Sequence, residues 1–275
     1  MNIKTKINEI KSKGYTILEG LLTPEQCNHY VNLLEKHYQD YSRGYAESEV
    51  NTGLADKSQE KVVYNLHNKH MDWWKLFSHQ KTISIVEPLL AAGSYKNSGQ
   101  FYLNNISART PVKGKGEQMI HIDGEIPGLQ WPLKVNVIWY LNDSTIENGA
   151  TRVVPESHKR DSFCEDGMIP DDSIIVEARA GDVLIFDAGL WHGGTSSNSD
   201  RPRWALLLGY ARWFIKPSFD FKLNTPRDIF DLATEQQKRI LGFNLFPPQD
   251  EFTRLRRRSE SNEAPSNYKL PIVYR

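Results

Sequence analysis

Between Phe101 and Ala211 the chain alternates short runs of apolar, aromatic and β-branched residues with clusters of Gly, Asn, Asp, Ser and Pro. This punctuation restricts the fold more than any other feature, because a succession of short strands bounded by turn formers points to a sandwich or barrel. Phe101-Tyr102-Leu103-Asn104 is strand-like. Trp131 to Leu141 has period two, with Val135, Val137 and Trp139 on one face and Asn136, Ile138 and Tyr140 on the other. Asn142 to Gly149 is rich in turn formers and ends in an Asn-Gly pair able to adopt positive φ. Thr151 to Val154 resumes a strand, Ala180-Gly181-Asp182 turns into the apolar run Val183 to Phe186, and Arg203 to Ala211 forms one more strand.

Helical patterns flank this β-rich region. Ile3, Ile7 and Ile10 share a helical face, and Gly14 to Leu18 reads as a strand after a glycine stop. Thr23-Pro24-Glu25-Gln26 is a helix start, with the helix expected to run to about Tyr38. From Asp40 to Lys61 the polar, aperiodic composition predicts a loop or lid at the border of a site. Ile83 to Leu90 reads as a packed helix, and Thr225-Pro226 begins a helix expected to continue toward Leu241 and stop at Gly242. One domain over 1–275 is expected: a helical N-terminal region over 1–98, a β-core over about 99–215 and a helical C-terminal extension over 216–275.

Charge excludes some functions. Thirty-four basic residues balance 34 acidic ones, so no field favours nucleic acid or an anionic membrane. The arginines between 254 and 258 read as a solvated face. Two cysteines are too few for a disulfide framework. With neither a signal peptide nor an apolar span of membrane length, the chain reads as soluble and cytoplasmic.

The candidate chemistry lies between Gln118 and Arg203. His121 and Asp123 are two residues apart, a spacing that puts both side chains on one face of an extended strand. His192 follows an apolar run, and Arg203 lies 11 residues beyond it. Two histidines and a carboxylate suit non-haem iron(II) with open coordination positions, and a guanidinium suits an acidic co-substrate. Zinc could occupy the same donors for hydrolysis, but no general base for that chemistry is evident. His67 and His70, in an aromatic stretch with Tyr64, Trp73 and Trp74, lack a carboxylate at ligand spacing and read as core packing.

Gln118 to Asp123, the block from Asn148 to His158, and His192 with Arg203 together resemble the phytanoyl-CoA dioxygenase-like family of iron(II)- and 2-oxoglutarate-dependent oxygenases. The resemblance covers about 14–242. It implies a double-stranded β-helix, or jelly roll, with His121, Asp123 and His192 as iron ligands and Arg203 against the distal carboxylate of 2-oxoglutarate; Arg201 is the competitor. Gln118 and Trp139 match positions that contact the co-substrate in relatives. Asn104 is either a satisfied strand residue or a further contact. His158 closes a structural turn. Gly194 departs from the pattern, since many relatives carry a carboxylate-binding serine there, and Thr195 is the candidate substitute.

The reaction implied is hydroxylation of a small organic substrate with O2 and 2-oxoglutarate as co-substrates, in secondary or lipid-like metabolism. Asp123 argues against halogenation, which in relatives needs a small residue there. Desaturation, epimerisation, ring formation and endoperoxide formation are the chemical rivals, and a catalytically silent ligand-binding jelly roll is the rival from another class. Tyr64, Trp131, Tyr210 and Trp213, with the 40–61 loop, are the candidate substrate walls. Relatives with similar ends are often dimers, so a homodimer is one possible state and the oligomeric state is left open.

Overall fold

The Asn2 side chain accepts a hydrogen bond from the Thr5 N–H and starts α1 (Ile3–Lys13), which ends at Gly14. β1 (Tyr15–Leu18) leads to α2 (Pro24–Ala46), longer than the sequence pattern predicts because no proline stops the helix after Tyr38. The computed structural model describes residues 2–46, 60–95, 100–244 and 251–252, with the side chains of 41–46 excepted. Most of the expected 40–61 loop, and the 254–258 arginine run, therefore lie outside the described residues.

β2 (Glu60–Tyr64) is followed by α3 (Asp72–Phe77), α4 (Gln80–Ala91) and β3 (Phe101–Pro111), which extends well past Asn104. Then come β4 (Lys134–Tyr140), β5 (Thr151–Val153), β6 (Ile174–Val176), β7 (Val183–Asp187), β8 (His192–Gly194) and β9 (Ala205–Arg212). The C-terminal helices are α5 (Phe221–Asn224), α6 (Arg227–Leu232) and α7 (Glu235–Ile240). The single helix expected from Thr225 is thus broken: Thr234 and Gln237 form a reciprocal capping box that starts α7 anew.

The strands form two antiparallel sheets, a six-stranded one in the order β1-β7-β4-β9-β3-β2 and a three-stranded one in the order β6-β5-β8. The fold is a jelly-roll core with flanking helices. Alternation sorts each strand of the larger sheet. Val135, Val137 and Trp139 join Trp73, Trp74, Phe77 and Leu89 in the core between this sheet and the helices. Ile138, Tyr140, Leu184 and Phe186 turn the other way and meet Val153 and Val176 of the smaller sheet. The helices close the outer face of the larger sheet. Among the described residues no helix is long and apolar enough to cross a membrane.

Candidate active site

His192 begins β8, and the segment carrying His121 runs beside it: the two residues exchange backbone hydrogen bonds of 2.9 and 3.0 Å, and Gln118 N donates to Gly194 O. The expected strand at His121 is therefore an irregular edge. It ends at Asp123, whose N–H, like that of Gly124, is held by Ala188 O. This anchoring brings ligand atoms of His121, Asp123 and His192 within 4.8 Å of one another. His192 is buried, His121 half-buried and Asp123 exposed, so the group is open on its carboxylate side.

Each imidazole has its orientation and tautomer fixed in the same way. His121 Nδ1 lies 2.9 Å from Met119 O, and His192 Nδ1 lies 2.9 Å from Leu190 O. A carbonyl only accepts, so each Nδ1 carries the proton and each Nε2 presents a lone pair. His121 Nε2 is 3.8 Å from Asp123 Oδ1, and His192 Nε2 is 3.5 Å from Oδ2. With both rings neutral, two Nε2 lone pairs and a carboxylate converge here, and this donor set fits a divalent metal. Partial desolvation by the surrounding groups opposes ionisation of Asp123, but His192, His121 and an amide hydrogen bond outweigh it and hold the carboxyl far below the usual range. Burial also opposes protonation of His192, and the adjacent carboxylate more than offsets it, raising the group. His121 is lowered by burial and by the neighbouring His192, with a smaller contribution from the Arg109 charge.

The amide on Asp123 comes from Asn136, whose Nδ2 donates to Oδ2 at 2.6 Å, while Lys134 Nζ donates to the Asp123 carbonyl at 3.1 Å. Sequence reasoning singles out neither residue. The available signal is Asn136 itself, a polar residue on the β4 face that otherwise carries Ile138 and Tyr140. Asn136 is in register with Gly209 and Phe186, and the Phe186 ring stands edge-on to His192 at 4.7 Å.

Arg203 lies just before β9. Its N–H donates to Thr110 Oγ1 and its Nη2 to Gly149 O at 2.5 Å, while its Nε is buried without a partner. Gly149 has φ +90, and a Cβ there would stand 2.9 Å from Thr195 O, so the turn at Asn148-Gly149 requires glycine to deliver this carbonyl. Arg201, by contrast, is exposed. The missing serine at Gly194 has a steric explanation: a Cβ there would lie 3.1 Å from Gly116 O and 3.3 Å from Gln118 Oε1. Gln118 Oε1 instead accepts from Gly194 N at 3.0 Å. Thr195 Oγ1 donates to Ala150 O at 2.9 Å, which uses its only hydroxyl proton.

The other expected site residues make contacts of their own. Trp139 belongs to the core on the helix side of β4, edge-on to His79, because alternation turns it away from the cavity; its neighbour Tyr140 faces inward. The Asn104 amide donates to Lys216 O and accepts from Ser218 Oγ, so it ties down the chain after β9. Tyr210 is fully buried in the helix-side core with its hydroxyl on Phe77 O, and is not a wall. Tyr64 is buried beside Phe219 and in register with Ser107. Trp131 and Trp213 are exposed, the first covering Gly93 and the second edge-on to Phe214. His67 is fully buried against Phe221 with Nε2 on Asn224 Oδ1, in agreement with core packing. His158 packs on the end of α1, its Nε2 3.3 Å from Lys11 O.

The sequence pattern of the phytanoyl-CoA dioxygenase family matches residues 10–205, a span that includes the metal group, the Asn-Gly turn and Arg203. The chain belongs to this family. It is accordingly an oxidoreductase of the iron- and 2-oxoglutarate-dependent oxygenase class. Among its relatives is dioxygenase af480 of Aspergillus fumigatus, 32% identical over 256 residues, which are 89% of this chain and 78% of the relative. The fold resembles HygX from Streptomyces hygroscopicus, solved with nickel, 2-oxoglutarate and hygromycin B bound (TM-score 0.61, 15% identity, 78% of this chain and 89% of HygX). It also resembles the epimerase SnoN, solved with Fe3+, α-ketoglutarate and nogalamycin RO (TM-score 0.57, 16% identity, 85% of this chain and 91% of SnoN).

Proposed function

We propose that this phytanoyl-CoA dioxygenase family member hydroxylates an unactivated C–H bond of a small organic molecule, using iron(II), 2-oxoglutarate and O2. The observation that carries the reading is the pair of histidines whose Nδ1 protons are tied to Met119 O and Leu190 O, so that both Nε2 atoms and the Asp123 carboxylate converge while one side stays open. Bound iron(II) and 2-oxoglutarate would supply O2 activation coupled to decarboxylation of 2-oxoglutarate to succinate and CO2, and with it the oxidising power for a C–H bond.

The chain's own residues set up this chemistry. His121, Asp123 and His192 would hold iron, with Asn136 fixing the carboxylate through Oδ2. Arg203 would bind the distal carboxylate of 2-oxoglutarate: its position is fixed by Gly149 O, and its buried, unpaired Nε needs an acceptor. Gln118, oriented by Gly194 N, keeps its amide donor free for the co-substrate. Phe186 against His192 helps keep water from the inner side of the group. The carboxylate at Asp123 occupies the place that a halogenase leaves empty, so hydroxylation is favoured over halogenation.

A second reading keeps the cofactor and changes the outcome, since the pose of the substrate after hydrogen abstraction decides between hydroxylation, desaturation, epimerisation, ring closure and endoperoxide formation. The likeness to SnoN, an epimerase, supports keeping it. The test is succinate formation from 2-oxoglutarate by purified protein with iron(II) and ascorbate, followed by product analysis. Succinate that requires iron(II), and a product gaining one oxygen, support hydroxylation. A zinc-loaded protein that neither binds nor turns over 2-oxoglutarate with iron(II) supplied would overturn the reading.

A further inference from the structure

The inner face of the larger sheet holds a second arginine that the oxygenase chemistry does not use. Arg109 on β3 is in register with Ala205 and Tyr140, both on the side facing the smaller sheet. Two rows along the same face, Asn105 is in register with Gly209 and Asn136, and Asn136 holds Asp123. Alternation therefore sets Asn105, Ser107 and Arg109 in one line along β3, running past the metal group. The opposite side of this face, on β7 and β1, carries Leu184, Phe186, Tyr15 and Ile17. The polar residues of this face thus lie along β3, while its β7 and β1 side is packed against Val153 and Val176.

Arg109 is only partly engaged. Its Nη1 donates to Glu60 Oε1 at 2.8 Å, its guanidinium lies 5.9 Å from the Tyr64 ring centre, and its Nε is buried with no acceptor. Among the described residues Nη2 has no partner. A guanidinium presents five N–H donors in a planar fork that matches a carboxylate two bonds at a time. Glu60 occupies one donor and steadies the group, and the remaining edge is left for a ligand. The Asn105 amide, also without a partner among the described residues, lies over Gly209, where any Cβ would collide with its Oδ1.

We propose that Arg109 recognises the primary substrate, and that this substrate carries a carboxylate or equivalent anionic oxygen bound by Arg109. The assignment rests on the oxygenase reading of the site. Arg203 remains the anchor of 2-oxoglutarate, so the two arginines divide the two acids between them.

The test uses iron(II)–protein with 2-oxoglutarate under anaerobic conditions, with 2-naphthoate and cinnamate as probes and their methyl esters as neutral counterparts. Binding is read by calorimetry and by perturbation of the visible iron–2-oxoglutarate absorption band. In the wild type the acids are expected to bind at least about tenfold more tightly than the esters. Arg109→Gln removes that preference and leaves 2-oxoglutarate affinity within about twofold, and Arg109→Lys keeps some of it. Glu60→Gln, which removes the ion pair but keeps the guanidinium, retains the preference. Equal or absent binding of acids and esters in the wild type overturns the assignment, and so does a loss of 2-oxoglutarate affinity in Arg109→Gln as large as that in Arg203→Gln. Loss of the preference in Glu60→Gln as well would make the pair a structural one and overturn it too. If the wild type forms no iron–2-oxoglutarate band, the oxygenase reading itself fails and takes the assignment with it.

Discussion

The two sheets divide the work of the protein unequally. The six-stranded sheet has long strands, β3 and β9 among them, and buries one face against Trp73, Trp74, Phe77 and the C-terminal helices. The smaller sheet has strands of three residues, and its edge beyond β8 is the irregular segment that ends at Asp123. All three candidate metal ligands lie on that short side, while the residues that brace or face them, Asn136 and Arg109, come from the long one. Stability and ligand binding should therefore separate: changes on the helix side of the large sheet should act on folding, and changes at the edge of the small sheet should act on the metal.

The largest effect expected is on metal binding. His192→Ala or Asp123→Ala should abolish iron(II) binding measured by calorimetry, and Asp123→Ala should do so while shifting the urea midpoint little, because its carboxylate faces an open site. Trp139→Ala should do the reverse. Its fully buried ring packs on the helix side, and its loss should cost about 3–5 kcal/mol of stability in urea titration, with metal affinity of the folded fraction retained. An iron affinity that fell with Trp139→Ala as far as with His192→Ala would break the division between the sheets.

Stability should also depend on pH through the helix side. Burial depresses His67 to about 3, from the ordinary histidine value of 6.5. Between those values the unfolded chain binds a proton that the folded protein does not, so stability rises with pH through this window and is lost as pH falls from 6.5 toward 3. The loss can reach about 5 kcal/mol. Replacing His67 with Gln should flatten the urea-midpoint profile between about pH 4 and about pH 6.5, as read against the wild type over the same window.

Smaller effects separate the braces. Asn136→Ala should weaken iron binding by about 10- to 100-fold without removing it, since the carboxylate loses its orientation but not its charge. Arg203→Gln should weaken 2-oxoglutarate binding and spare the metal, whereas Arg201→Gln should leave both unchanged. Gly194→Ser is the mildest: its Cβ must move Gln118 or the Gly116 carbonyl by a few tenths of an ångström, so 2-oxoglutarate affinity should change by only a fewfold. A gain in affinity there would mean that the serine of relatives is compatible with Gln118.

What can be read from the sequence follows the same division. Period-two alternation over 135–140 assigns the two faces of β4 correctly, since side chains in a strand alternate whatever the tertiary context. It does not say which face looks at the cavity, and the family pattern matches Trp139 to the pocket where Tyr140 faces it. The ligand triad is legible because a short His-X-Asp spacing and a distant His form a pattern that survives an irregular backbone. Asn136 and Arg109 are not, because each acts across a sheet whose register no local spacing encodes. Tyr210 departs from expectation, and Asn104 takes the satisfied one of its two readings, for a related reason: a tyrosine hydroxyl or an asparagine amide in a strand looks the same in sequence whether it meets a ligand or, as here, Phe77 O and Lys216 O. The break between α6 and α7 is written in Thr234 and Gln237, but an unbroken apolar pattern conceals it.

The central claim is that His121, Asp123 and His192 hold iron in a form that binds 2-oxoglutarate. The direct measurement is anaerobic titration of the iron(II)-protein with 2-oxoglutarate, followed by visible absorption. A saturable band in the wild type, absent in His192→Ala and shifted to higher 2-oxoglutarate concentration in Arg203→Gln, is the predicted result; iron bound at the triad with no response to 2-oxoglutarate would contradict it.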